Sequence, residues 1–206
     1  VLELKGGLRS TSHPALSRGD AWTLTELKKV LDAARRFGIT VIPTFNTPAH
    51  SHWIGRVYPD LTEDEATGQL CTRNPNTKAL ITDMLTELHE AFDEPKFIHI
   101  GHDEIGFKTH RKHEAQRCPR CEGTPRWQLL AEDLSWQHSV LADMGVKPML
   151  WSDMLIREWH GQHGAMYRAA DRIPEVIRPD LHVISWGRIG DTVGTLVPKG
   201  YSVIRG

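Results

Sequence analysis

An aspartate and a glutamate stand side by side where an apolar run ends, in Lys96-Phe-Ile-His-Ile-Gly-His-Asp-Glu-Ile105. Glycoside chemistry needs an acid for the leaving oxygen and a second group to stabilise an oxocarbenium-like centre. Asp103 and Glu104 are chain neighbours, with Cα atoms about 3.8 Å apart, and are poorly placed to bracket an anomeric carbon from opposite faces. They suit a division of labour in which the substrate itself supplies the nucleophile. Other candidates also sit just beyond apolar runs: Asn46 and His50 after Ile39-Thr-Val-Ile-Pro43, Trp151 and Asp153 after Lys147-Pro-Met-Leu150, and Trp186 after Leu181-His-Val-Ile-Ser185. Tryptophan is the commonest aromatic here, seven against five Phe and three Tyr, and its broad face suits a sugar ring as well as a core.

Two further sets point to metal chemistry. His50-Ser-His52 with His99, His102 and Asp153 is a donor set for Zn²⁺ and an activated water, the equipment of a metal-dependent barrel hydrolase. His110-Arg-Lys-His113 followed by Cys118-Pro-Arg-Cys121 has the spacing of a small structural zinc knot; its plainer reading is a basic loop with free thiols. Three cysteines cannot close a disulfide framework.

The elements that position these residues follow from periodicity. Thr23-Leu-Thr-Glu26 is a capping-box pattern, and Leu24, Leu27, Val30, Leu31 and Ala34 trace a helical stripe that stops at Gly38. The β-branched run 39–43 predicts a buried strand. A helix from Pro75 carries Leu80, Ile81, Met84, Leu85, Leu88 and Phe92, and the run from Lys96 is the next strand. A helix over 127–144 turns Leu130, Leu134, His138, Leu141 and Met144 inward and stops at Gly145. Strands follow at 147–151, 181–186 and 201–204, with short helical stretches around 165–178. Alternating strands and helices predict a parallel α/β sheet, with chemistry gathered at strand C-termini as in a (β/α)8 barrel. A doubly wound sheet shares that placement, but no Gly-rich phosphate turn follows any strand.

Composition narrows the class. Twenty-five basic against 26 acidic residues leave a net charge of −1, which argues against a nucleic-acid partner. No apolar run approaches the roughly 18 residues of a membrane span, and no signal-peptide pattern opens the chain at Val1, so neither a membrane role nor a location is assigned.

His99-Ile-Gly-His-Asp-Glu-Ile105 resembles the H-x-G-G-D-E strand motif of family 20 glycoside hydrolases, the β-N-acetylhexosaminidases. Gly38-Ile-Thr-Val-Ile-Pro-Thr-Phe-Asn-Thr-Pro-Ala-His-Ser51 is similar to that family's G-I-x-V-I-P-E-x-D-T-P-G-H-S, Trp151-Ser-Asp153 to its W-x-[DE] strand, and Leu70-Cys-Thr-Arg-Asn-Pro75 to its L-C-x-x-N-P loop. Val1-Leu-Glu-Leu4 resembles the segment leaving the second strand. The resemblance runs end to end over residues 1–206 and implies a TIM barrel of which strands three to seven of eight are represented. It implies removal of terminal β-linked N-acetylhexosamine from glycans by substrate-assisted retaining hydrolysis, without a cofactor. By the same resemblance Glu104 is the acid/base, Asp103 orients the acetamido group, Trp151 and Trp186 wall its pocket, and His50 supports the acid, with Asp153 also at the substrate. Three positions depart from the pattern. His102 stands where the family has Gly, which sets an imidazole beside the site; Asn46 replaces an Asp and Thr44 a Glu. Those losses leave a non-catalytic sugar-binding relative as an alternative. A barrel lacking strands has open edges, so the remaining chain or a second copy is expected to be needed for stability.

Overall fold

The computed structural model describes residues 1–63, 68–105, 118–156, 180–186 and 191–206. Among these residues six strands form one parallel sheet in chain order: β1 (Leu2–Glu3), β2 (Pro43–Thr47), β3 (Phe97–Gly101), β4 (Lys147–Trp151), β5 (His182–Ser185) and β6 (Ser202–Arg205). Parallel neighbours require a crossover between each pair. The described helices in those crossovers are α1 (Leu24–Arg36), α2 (His52–Gly55), α3 (Pro75–Ala91), α4 (Arg126–Asp143) and α5 (Thr192–Leu196). Among the described residues β1 and β6 each have one strand neighbour. The sheet holds one strand more than expected, because Leu2 and Glu3 pair in register with Pro43 and Thr44. The helical stretches expected around 165–178 lie outside the described residues.

The capping box at α1 forms as expected: Thr23 Oγ1 accepts the Glu26 N–H at 3.3 Å, and the Glu26 carboxylate accepts the Thr23 N–H at 2.8 Å. Only Leu27 and Leu31 of its stripe are buried; Leu24 and Val30, expected inward, stay exposed. At its C-terminus Gly38 (φ 69°) donates to Arg35 O and Ile39 to Ala34 O, both at 3.0 Å, the paired bonds of a Schellman motif. That motif corrects the expected strand at 39–43. Ile39 is spent on the cap and remains 60% exposed, and pairing begins at Pro43.

In α3, Pro75 occupies the first turn and the Asn74 side chain accepts the Asn76 N–H at 3.0 Å. Leu80, Ile81, Leu85 and Leu88 face the sheet, and α4 adds Leu130, Leu134 and Leu141. With Ile98, Ile100, Leu150 and Val183 from the strands they make one core cluster. Truncating a side chain as deeply buried as Ile98 or Leu134 is expected to cost about 2–5 kcal/mol. Three polar residues of α4, Asp133, Gln137 and His138, are buried beside those leucines.

Candidate active site

The site is assembled at the C-terminal ends of β2 to β5. Between β2 and β3 the register passes from Thr44↔His99 to Thr47↔Gly101, so β2 carries one extra residue there. Such a bulge re-aims side chains at a strand end, and within it the Asn46 amide Nδ2 donates to Asp103 Oδ1 at 2.8 Å. The approach is close enough that a Cβ on Gly101, itself at φ 79°, would stand 1.9 Å from Asn46 Oδ1. Glycine is therefore required at 101 by both backbone and space. Past β2 the Thr47–Pro48 peptide is cis, and Ser51 Oγ donates to Asn46 O (3.2 Å) and Ala49 O (3.0 Å). That turn holds His50 in the left-handed region at φ 56°.

His50 Nε2 lies 3.2 Å from Asp103 Oδ2 and 3.4 Å from Glu104 Oε2, so one imidazole faces both carboxylates. Contact with Asp103 raises the His50 pKa, against partial burial, and Glu104 adds to the rise. Burial pushes Asp103 upward, but His50 and the Asn46 amide outweigh it and hold the carboxyl below its ordinary range. Asp103 is thus an ionised carboxylate at neutral pH. The two acid side chains are 16% and 27% exposed, shielded yet open to a ligand.

Asp153, at the end of β4, has no exposed surface. Its Oδ2 accepts the Glu104 backbone N–H at 2.8 Å and its Oδ1 accepts the Trp186 Nε1–H at 3.2 Å. Burial raises its pKa to about 7 against those two bonds, with the charge on Asp103 adding to the rise. The Trp151 and Trp186 rings meet edge to face at 6.5 Å and 72°, forming an aromatic corner. Asn46, His50, Asp103, Glu104, Trp151, Asp153 and Trp186 are therefore brought together as one linked group.

His102 is not brought to this group, contrary to the expected imidazole beside the site. With Gly101 (φ 79°) and His102 (φ 62°) both left-handed, its ring turns inward and is fully buried. His102 Nε2 lies 2.8 Å from Asp133 Oδ2 and Nδ1 3.1 Å from Ile100 O. Gln137 Nε2 donates to Asp133 Oδ2 (3.0 Å) and to Thr47 Oγ1 (3.1 Å), tying α4 to the end of β2. Asp133 and Gln137 escaped the sequence reading; their only signal is two polar residues one helical turn apart on the apolar face of α4.

The histidines of the metal-hydrolase reading do not converge. His52 opens α2, and His99, fully buried, accepts the Gly101 N–H on Nδ1 at 3.1 Å and faces Trp151 at 4.5 Å between ring centres. Burial lowers the His99 pKa to about 4, so the ring is neutral. Among the described residues the one group of ligand atoms close enough for an ion is elsewhere: Glu63, Cys71, Cys118 and Cys121. Cys118 and Cys121 belong to the expected zinc knot, while His110 and His113 lie outside the described residues. Cys71 and Glu63 were missed, because no local spacing connects them to the Cys118–Cys121 pair.

Over residues 1–206 the sequence matches the family described as glycosyl hydrolase family 20, catalytic domain. The chain belongs to that family. This family 20 chain is 30% identical over 114 residues to beta-hexosaminidase subunit beta of Mus musculus, a match covering 48% of the chain and 21% of the relative. It is 25% identical over 213 residues to a beta-hexosaminidase of Emericella nidulans, covering 92% of the chain and 33% of the relative. Its fold matches the Flavobacterium johnsoniae chitobiase with a TM-score of 0.75 at 18% identity, over 98% of the chain and 32% of that structure. The matches thus span between a fifth and a third of these proteins' lengths.

Proposed function

We propose that residues 1–206 are part of a (β/α)8 catalytic barrel that removes terminal β-linked N-acetylhexosamine from glycans by substrate-assisted retaining hydrolysis. In this reading the six described strands correspond to two through seven of eight, and the edges at β1 and β6 are completed by further chain or by a second copy. The observation that carries the chemistry is Asp153, whose two oxygens bridge the Glu104 backbone and the Trp186 indole. One buried carboxyl thereby ties the acid to the aromatic corner.

The acetamido methyl of the sugar rests in the corner of Trp151 and Trp186, aligning its carbonyl oxygen on the anomeric carbon. Asp103 accepts the acetamido N–H, and its negative charge balances the positive oxazolinium that forms. Glu104 gives a proton to the glycosidic oxygen as that bond breaks. In the second half Glu104 takes a proton from water, the oxygen adds to the anomeric carbon from the vacated face, and the ring reopens with retention. The departure at position 46 leaves a hydrogen-bond donor facing Asp103. Asn46 donates to Asp103 and helps to hold it ionised.

The test is nitrophenol release from an aryl N-acetyl-β-glucosaminide by the full natural chain, beside Glu104→Gln and an aryl glucoside lacking the acetamido group. Turnover is expected only with the acetamido substrate and intact Glu104. A folded protein that binds the sugar without turning it over would make the chain a sugar-binding relative.

A further inference from the structure

Away from the carbohydrate site, three sulfurs and a carboxylate meet where two loops touch. The first loop is pinned beside the His50 turn: Leu70 N–H donates to Pro48 O at 2.9 Å and Cys71 N–H to Leu61 O at 2.8 Å. The second is the turn leading into α4, in which Cys118 O accepts the Cys121 and Glu122 N–H groups at 2.9 and 3.1 Å. Cys71 Sγ lies 3.0 Å from Cys118 Sγ and 3.6 Å from Cys121 Sγ. Glu63 completes the group: its Oε2 accepts the Cys118 N–H at 3.1 Å, and all four candidate ligand atoms lie within 4.8 Å of one another.

We infer that Cys71, Cys118, Cys121 and Glu63 form a closed four-ligand structural zinc site. A tetrahedral ion with Zn–S bonds near 2.3 Å sets its sulfurs about 3.8 Å apart; Cys71–Cys121 at 3.6 Å is close to that, and Cys71–Cys118 at 3.0 Å opens by less than 1 Å to reach it. A disulfide would need about 2.05 Å and would leave the third sulfur unpaired. Three soft thiolates with one carboxylate select zinc over magnesium or calcium. Four protein ligands fill the coordination of a tetrahedral ion, and two of them, Cys71 and Cys121, are 1% and 0% exposed, so the role is structural. Arg73 sets a compensating positive charge beside the ligands, spanning from Thr124 Oγ1 (2.6 Å) to the Glu132 carboxylate (2.8 and 2.9 Å). The ion would clamp the loop that follows β2 to the start of α4. That helix carries Asp133 and Gln137, so the clamp also steadies the inward turn at His102. The site stands independently of the glycosidase reading.

The test uses the full natural chain, grown with added zinc and purified without chelator, with metal counted by plasma mass spectrometry. The result expected is one zinc that depends on this group, lost in Cys71→Ser and in Cys121→Ser. Replacement by cobalt(II) is expected to give the intense visible bands of a tetrahedral thiolate site, with the thiolate charge-transfer band kept and the ligand-field bands shifted in Glu63→Gln. Should the serine variants not fold, organomercurial titration of the wild-type chain replaces them, and one zinc is expected to be released as three thiols react. Three freely reactive thiols without stoichiometric metal, a mass two hydrogens lighter from a disulfide within the trio, or undiminished zinc in folded Cys71→Ser would each overturn the assignment. Unchanged cobalt spectra in Glu63→Gln would remove Glu63 as the fourth ligand. None of these outcomes bears on whether Glu104 hydrolyses a glycoside.

Discussion

His50–Asp103 and His102–Asp133 are built from the same two residue types, and Asp103 follows His102 directly in the chain. The first pair is 3.2 Å apart with side chains 33% and 16% exposed; the second is 2.8 Å apart at 0% and 1%. In the buried pair both imidazole nitrogens face acceptors, Asp133 and Ile100 O, and Gln137 binds the same carboxylate oxygen. The pair is closed off from any substrate by its burial, and it braces the turn that sends residue 102 inward and residue 103 outward. At the rim, His50 is shared between two carboxylates that remain partly open. The same chemistry acts as a brace where it is buried, and as a charge-setting device where it is half open.

The comparison is broken most directly in the buried pair. His102→Ala leaves the Asp133 carboxylate buried without its imidazole, and a loss of about 3–5 kcal/mol is expected in urea unfolding. The folded fraction should keep far more activity than Asp103→Asn does. A loss under about 1 kcal/mol, the range of an exposed pair, would mean that His102–Asp133 is not a brace.

Asp103→Asn tests the rim. Removing the charge that balances the oxazolinium is expected to lower kcat by about 10²–10³-fold with little change in unfolding midpoint. Equal damage to stability and rate would erase the distinction between the two pairs.

His50→Gln is expected to act more gently, and through pH. Taking away the cation beside Asp103 favours its protonated form, so its pKa rises. The acid limb of kcat/KM should then move to higher pH. A limb that stays put or moves lower would show that His50 does not set the charge of Asp103.

Much of this was legible in the sequence, for definite reasons. Asp103, Glu104, Trp151, Asp153 and Trp186 each end or follow a short apolar run, and parallel sheets gather such residues on one rim. His102 was misread because its place beside Asp103 in the motif does not give its direction, and two successive left-handed residues turn its ring inward. The start of β2 was misread because the β-branched run at 39–42 begins inside a helix cap, while polar Thr44, Asn46 and Thr47 form the strand. Those polar residues are buried because they face Asp103, Gln137 and the neighbouring strands, which periodicity cannot reveal. Cys71 joins Cys118 across 47 positions of chain, a meeting set by the fold alone.

The central claim, that the substrate's own acetamido oxygen is the nucleophile and Asp103 its partner, is tested by varying that nucleophile. Aryl glucosaminides bearing acetyl, fluoroacetyl, difluoroacetyl and trifluoroacetyl groups have progressively poorer carbonyl nucleophiles, with little change at the leaving group. The account predicts that kcat/KM falls steeply with each added fluorine. A flat series, with a sugar ester trapped on Asp103 or Glu104 in the mass spectrum, would contradict it.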